Sequence, residues 1–270
     1  MEIKKIKTKS IITKSNLPEA DFVINPYIGC QHSCVYCYAD FMKRFTGHNS
    51  EEWGSFVDVK INAAETINFS KVSSNDLILI GSVTDPYQPI EGKYQITRNC
   101  LEALLEYQPR IEILTKSPLI LRDIDLLKKF KNLRVGISIG ILDENYSKEL
   151  EPCVASPQKR IEALKNLSKS GIETYLFISP IFPEISEVYN LIEGVKDFVG
   201  EIMFENLNIR ANNRQKILKF INHHRPELEE FYRSLPKNRY YWEKLKKEIM
   251  EYCDNKGIKF KIFFYHGTKN

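Results

Sequence analysis

Cys30, Cys34 and Cys37 stand within eight residues, in the run Asn25-Pro-Tyr-Ile-Gly-Cys30-Gln-His-Ser-Cys34-Val-Tyr-Cys37-Tyr-Ala39, with the spacing C-x3-C-x2-C. Three thiolates on one tight loop can hold three irons of a 4Fe-4S cubane. The fourth iron is then left to a substrate, whereas an electron-transfer cluster of this kind takes four Cys. Zinc is the competing occupant, and it wants a closed tetrahedral set, usually from two separated ligand pairs. His32 or His48 could complete such a set, but no second Cys or His pair lies near. Cys100, Cys153 and Cys253 are scattered, and a buried structural thiol is the first reading of each.

Such a loop needs a rigid frame. The 270 residues are 43% hydrophobic and 27% charged, with 12 Gly and 12 Pro, which is globular usage and excludes collagenous, low-complexity and disordered chains. Short β-branched or apolar runs alternate with stretches of helical spacing. The expected strands are Asp76–Ile80, Arg110–Leu114, Leu133–Ile139, Glu173–Ile178, Glu201–Phe204 and Lys259–Phe264. The expected helices are Arg98–Glu106, Ile120–Phe130, Pro157–Ser170, Ser186–Phe198 and Tyr240–Asn255; Ser156-Pro157 and Gly171 supply end signals for the third of these. This order argues a parallel sheet with right-handed crossovers, either open and doubly wound or a full or partial β/α barrel. Residues 206–238, polar and carrying Asn-Asn and His-His pairs, read as a surface excursion or lid.

The cysteine spacing, with aromatic Tyr36 just before the last Cys, resembles the radical SAM superfamily. The wider Asn-Pro-Tyr-x-Gly-Cys-x-His-x-Cys-x-Tyr-Cys-Tyr-Ala context resembles its spore photoproduct lyase-like branch. The resemblance implies a partial (β/α)6 barrel of radical SAM type with a C-terminal helical excursion. It divides one 1–270 domain into an extension (1–24), the cluster loop and core (25–205), and a basic helical segment with the last strand (206–270). It further implies a 4Fe-4S cluster on Cys30, Cys34 and Cys37 that cleaves S-adenosylmethionine (SAM) to a 5'-deoxyadenosyl radical, which abstracts hydrogen from a substrate. Tyr36, Thr84, Asp85, Lys116, Ser138, Glu151 and Arg160 match positions that imply cofactor contacts. Thr84 and Asp85 resemble a Thr-Asp signature, and Glu151-Pro152 with Ser156-Pro157 and Arg160 a Glu-Pro-x-x-x-Ser-Pro-x-x-Arg pattern in which Cys153 replaces the usual Arg or Gly.

A photoproduct lyase of that branch uses a Cys hydrogen donor where this chain has Ser82. A hydroxyl O–H is much stronger than a thiol S–H, so the expectation is a relative with another substrate; a DNA photoproduct lyase-type repair enzyme is the alternative. Tyr38 and Cys153 are the candidate catalytic residues. A non-catalytic iron-sulfur or zinc protein that senses redox state or binds nucleic acid is the remaining alternative, and it leaves the cofactor-like positions on separate strands unexplained.

Partners follow from charge and redox chemistry. The net charge is +4, mildly basic. Residues 208–250 hold 11 Lys/Arg against five Glu, with Tyr232, Tyr240, Tyr241 and Trp242 available to stack, so nucleic acid is a possible partner. The resemblance implies a one-electron reductant such as ferredoxin or flavodoxin. No apolar run approaches the roughly 20 residues that cross a bilayer, and no secretion signal opens the chain. A cytoplasmic protein is therefore expected.

Overall fold

The computed structural model describes residues 1–17, 19–70, 72–73 and 75–264; the end of the expected C-terminal segment, 265–270, lies outside the described residues. In chain order the strands are β1 (Glu2–Ile6), β2 (Ile12–Lys14), β3 (Phe22–Ile24), β4 (Tyr27–Ile28), β5 (Phe56–Lys60) and β6 (Leu77–Ile80). They continue as β7 (Arg110–Thr115), β8 (Leu133–Ser138), β9 (Glu173–Ile181), β10 (Glu201–Asn206) and β11 (Phe260–Phe263).

The main sheet runs β11-β10-β9-β8-β7-β6-β3-β2. Its seven strands from β3 to β11 pair in parallel, and β2 joins antiparallel at one edge. The spatial order follows the chain order without reversal. A doubly wound sheet reverses at a switch point, so this winding is that of a barrel, open between β2 and β11. All six expected strands are present as β6 to β11. β3 is a seventh parallel strand inside the stretch 1–24 that was expected to be only an extension. Its three residues are too few to show a period in the sequence.

The central strands β6 to β10 are largely apolar on both faces, as buried parallel strands are. Ile78, Ile80, Ile111, Ile113, Val135 and Ile137 are almost completely buried. The alternate residues Leu77, Leu79, Glu112, Leu114, Tyr175 and Phe177 line an interior cavity, which is the two-residue period of a strand. At its lower end the interior is plugged by charge. Arg134 Nε donates to Glu112 Oε2 at 2.7 Å, Arg134 Nη1 to Glu201 Oε2 at 2.7 Å, and Tyr175 Oη to Glu112 Oε1 at 2.7 Å. Gly136 makes room for this plug, since a Cβ there would lie 2.1 Å from Tyr175 Cζ.

The helices Ile96–Leu104, Pro157–Lys169, Val188–Val195 and Arg239–Asn255 occupy expected places. Ser156 caps the second of these by accepting from Lys159 N. The expected helix Ile120–Phe130 is instead a 3-10 segment, Pro118–Asp123, and a short helix, Ile124–Leu127. Asp123, at the break, is buried and receives Arg98 Nη1 and Arg122 Nε. The excursion 206–238 is not a polar lid. It forms the helices Arg214–His224 and Glu229–Ser234, which bury Ile217, Phe220, Ile221 and Tyr232. The i, i+3, i+4 stripe that drives this burial is masked in composition by the surrounding Asn, Arg and Lys. Among the described residues, no helix is long and apolar enough to cross a membrane.

Candidate active site

The cysteine loop leaves β4 and returns through β5, which pairs with both β4 and β1 in a small second sheet. Gly29, just before Cys30, has φ of +83°, and a Cβ there would meet Phe56 O at 2.4 Å. Only glycine takes that turn without strain. Thr84 Oγ1 donates to Gly29 O at 2.6 Å, and Gln88 Nε2 donates to Thr84 Oγ1 at 3.0 Å, so the segment after β6 pins the start of the loop.

Cys30, Cys34 and Cys37 open onto one cavity of about 270 Å³, which they share with Tyr36, Tyr38, Thr84, Lys116 and Ser138. Removal from water raises all three thiol pKa values, with Cys37 pushed up to about 11, and negative neighbours add to the effect, Asp85 for Cys30 and Glu151 for Cys34. So placed, the three groups are neutral thiols; as thiolates they would need a cationic group among them, and a bound metal centre reverses the local pKa logic. Among the described residues no three His, Cys, Asp or Glu side chains converge as ligands of a single ion would. Each thiolate of a cubane meets its own iron, so the ligands of a cluster need not converge on one point. The donor set thus fits a three-thiolate cluster. His48 is unsuited to complete a zinc set: it lies between Glu51 Oε1 and Asp58 Oδ2, at 3.1 and 3.0 Å, and stacks on Phe56. His32 does line the cavity, with Nδ1 3.3 Å from Asp85 Oδ2.

Asp85 is buried in a nest of donors. It accepts from Thr115 Oγ1 at 2.6 Å, Lys116 N at 2.7 Å and Tyr87 N at 2.8 Å. Burial alone would raise its pKa, yet His32 and these donors hold it below the ordinary carboxylate value. Both of its oxygens are engaged by protein, so Asp85 fixes the end of β7 to the loop after β6.

Lys116 follows β7 and Ser138 ends β8. Lys116 Nζ donates to Ser138 Oγ at 2.7 Å and to Ser179 O at 3.3 Å, and lies 3.1 Å from Glu151 Oε1 and 5.5 Å from the centre of the Tyr36 ring. Glu151 also accepts from Arg160 Nη2 at 2.5 Å and from the Tyr36 hydroxyl. Burial opposes ionisation of Glu151, but Arg160, Lys116 and Tyr36 outweigh it and hold its pKa at about 2. Arg160 is fully buried and also donates from Nη1 to Ser138 O at 2.9 Å. Neither Glu151 nor Arg160 lines the cavity. They stand behind the wall instead, where Glu151 meets Lys116 and Tyr36, and Arg160 meets Ser138 O and Glu151, a buried charge matched by a buried countercharge.

Cys153 is exposed and does not line the cavity, so the expectation that it could be a hydrogen donor there fails. Its neighbours belong to the structural Glu151–Arg160 pair. Tyr38 does line the cavity, and its hydroxyl donates to Ser82 O at 2.5 Å. Ser82 Oγ accepts from Asn25 Nδ2 at 2.9 Å. Of the expected stacking residues, Tyr232 and Trp242 are buried, with Tyr232 Oη donating to Pro183 O at 2.7 Å, and Tyr240 is 81% exposed. Sequence reading missed Ser179, Glu205, Asn206 and Asn208, which line the cavity from β9 and the end of β10. The signal was available for two of them: Glu205 falls on the inward parity of Glu201 and Met203, and Ser179 on that of Tyr175 and Phe177.

Residues 24–192 match the radical SAM superfamily. The chain is 43% identical over 216 residues to an uncharacterized protein of Methanocaldococcus jannaschii, covering 80% of this chain and 82% of that one. It is 28% identical over 163 residues to a radical SAM Nalpha-GlyT isomerase of Pseudomonas phage M6, covering 59% of this chain and 33% of the phage protein. Its fold is similar to that of spore photoproduct lyase complexed with dinucleoside spore photoproduct, with a TM-score of 0.69 at 15% identity over 97% of this chain and 82% of the lyase. Matched across its cysteine loop and most of its barrel, the chain belongs to the radical SAM superfamily and is an enzyme of the spore photoproduct lyase-like fold.

Proposed function

We propose that Cys30, Cys34 and Cys37 hold a 4Fe-4S cluster, that SAM binds beside it in the same cavity, and that the enzyme abstracts hydrogen from a substrate at the cavity mouth. A cluster held by Cys30, Cys34 and Cys37 would, with a one-electron donor such as ferredoxin or flavodoxin, supply the electron for reductive cleavage of SAM. The observation that carries this reading is the meeting of three thiols with Lys116 and Ser138 in one cavity at the carboxyl ends of the strands, where cofactors gather in β/α barrels. Lys116 offers a cation for a carboxylate, with Glu151 and Arg160 keeping the side chain in place. Ser138, bonded to Lys116 and to Ser179 O, offers a hydroxyl nearby. The apolar interior below excludes water from the reacting atoms.

The substrate differs from that of a lyase that returns hydrogen from a Cys, because Ser82, whose Oγ accepts from Asn25 Nδ2, carries an O–H much stronger than a thiol S–H. Tyr38 is the residue best placed to exchange a hydrogen atom, since its phenol lies on the cavity wall beside Cys37. A nucleic-acid substrate draws support from the excess of six positive charges in 208–250. Several of those cations are already paired with carboxylates, as in Arg225–Glu227 and Arg233–Glu229. Iron analysis after anaerobic reconstitution tests the proposal: about four irons per chain and a cluster spin-resonance signal altered by SAM are expected. A signal indifferent to SAM, or zinc in place of iron, would contradict it.

A further inference from the structure

Asn213 occupies the position before the helix Arg214–His224, where Asn ordinarily accepts a hydrogen bond from an amide of the first turn. It makes no such bond. Its side chain is instead buried, at 2% exposure, and turned away from its own helix. Nδ2 donates to Tyr36 O at 2.9 Å and to Asn208 O at 3.0 Å, while Oδ1 accepts from Arg210 N at 2.8 Å. One amide therefore joins three backbone groups from two distant parts of the chain. Tyr36 lies between Cys34 and Cys37, and Asn208 lies on the cavity rim with Asn206 and Leu207.

We propose that Asn213 is a positioning residue that locks the cavity rim at 206–208 to the backbone between Cys34 and Cys37, so that rim and cysteine loop hold one register. The local geometry supports this over a purely helical role, because the side chain gives up the cap its position favours and donates instead to Tyr36 O, in a buried contact, and to Asn208 O, in a half-buried one. A buried carbonyl without a donor is costly, so the two segments stay together only while the amide is present. The effect on cofactor binding rests on the reading of the cysteine loop as a cluster site; the effect on the backbone does not.

Asn213→Asp separates these roles. It is nearly isosteric and still accepts from Arg210 N, but it cannot donate to Tyr36 O or Asn208 O. Hydrogen–deuterium exchange on the cluster-free protein is expected to speed up by about tenfold in both 34–40 and 206–213, with the strand core unchanged; tenfold corresponds to about 1.4 kcal/mol. After reconstitution, the variant is expected to hold wild-type iron and to bind SAM about tenfold more weakly. Asn213→Ser, which keeps a good capping residue but lacks the reach to Tyr36, is expected to behave alike and covers the case in which the Asp variant does not fold. Faster exchange in only one of the two segments, or none in either, overturns the proposal. Coupled exchange with unchanged SAM affinity overturns its cofactor part alone. Failure of the wild-type protein to take up iron would count against the cluster reading and leave the exchange result standing.

Discussion

Replacing Glu151 by Gln removes the one carboxylate shared by Lys116, Arg160 and Tyr36. Its pKa is displaced from 4.5 to about 2, which corresponds to about 3 kcal/mol of stabilisation of the ionised form. Arg160 would keep its charge with no access to water, and its Nε already lacks a partner. Removing one member of a buried pair costs about 3–5 kcal/mol, and the two figures agree. The folded-state pKa is lowered, so the contribution is complete above pH 4.5 and is lost as pH falls toward 2. Urea unfolding of the cluster-free protein at pH 7 should therefore show Glu151→Gln less stable by about 3–5 kcal/mol. The gap should narrow by about 1 kcal/mol between pH 4.5 and 3.5. The double variant Glu151→Gln/Arg160→Met should recover part of the loss, because the stranded charge goes with it. A gap below about 1 kcal/mol, the size of a surface pair, or one that does not change with pH, would refute the reasoning.

Two further outcomes follow from contacts already described. Gly136→Ala forces a Cβ to within 2.1 Å of Tyr175 and should cost at least the 1–3 kcal/mol typical of overpacking, read as a lowered Tm with the Glu112–Arg134 plug disturbed. Lys116→Met should weaken SAM binding by about tenfold or more, about 1.4 kcal/mol, in equilibrium dialysis of the reconstituted enzyme while iron content stays at the wild-type level. Unaltered affinity would remove Lys116 from the cofactor site.

The six strands from β6 to β11 were legible because each is a short run rich in apolar and β-branched residues, and the cysteine loop because its spacing is dense. β3 was not, since three residues carry no periodic signal. The helix Arg214–His224 was hidden by composition: Ile217, Phe220 and Ile221 form its buried stripe, but the eye meets the Asn and His pairs first. Glu151 and Arg160 were found by pattern, yet a pattern cannot say which side of a wall a residue occupies. Their burial and the Lys116 contact place them behind the cavity wall. Asn213 was unreadable, because the helix it precedes was itself hidden and its partner Tyr36 lies far away in the chain.

The central claim is tested most directly by incubating the reduced, anaerobically reconstituted protein with SAM and quantifying 5'-deoxyadenosine. The account predicts product from the wild-type chain and from Cys153→Ala, whose thiol lies outside the cavity, and none from Cys34→Ala. Product from Cys34→Ala equal to the wild type, or no product from a wild-type chain carrying its full iron, would contradict it.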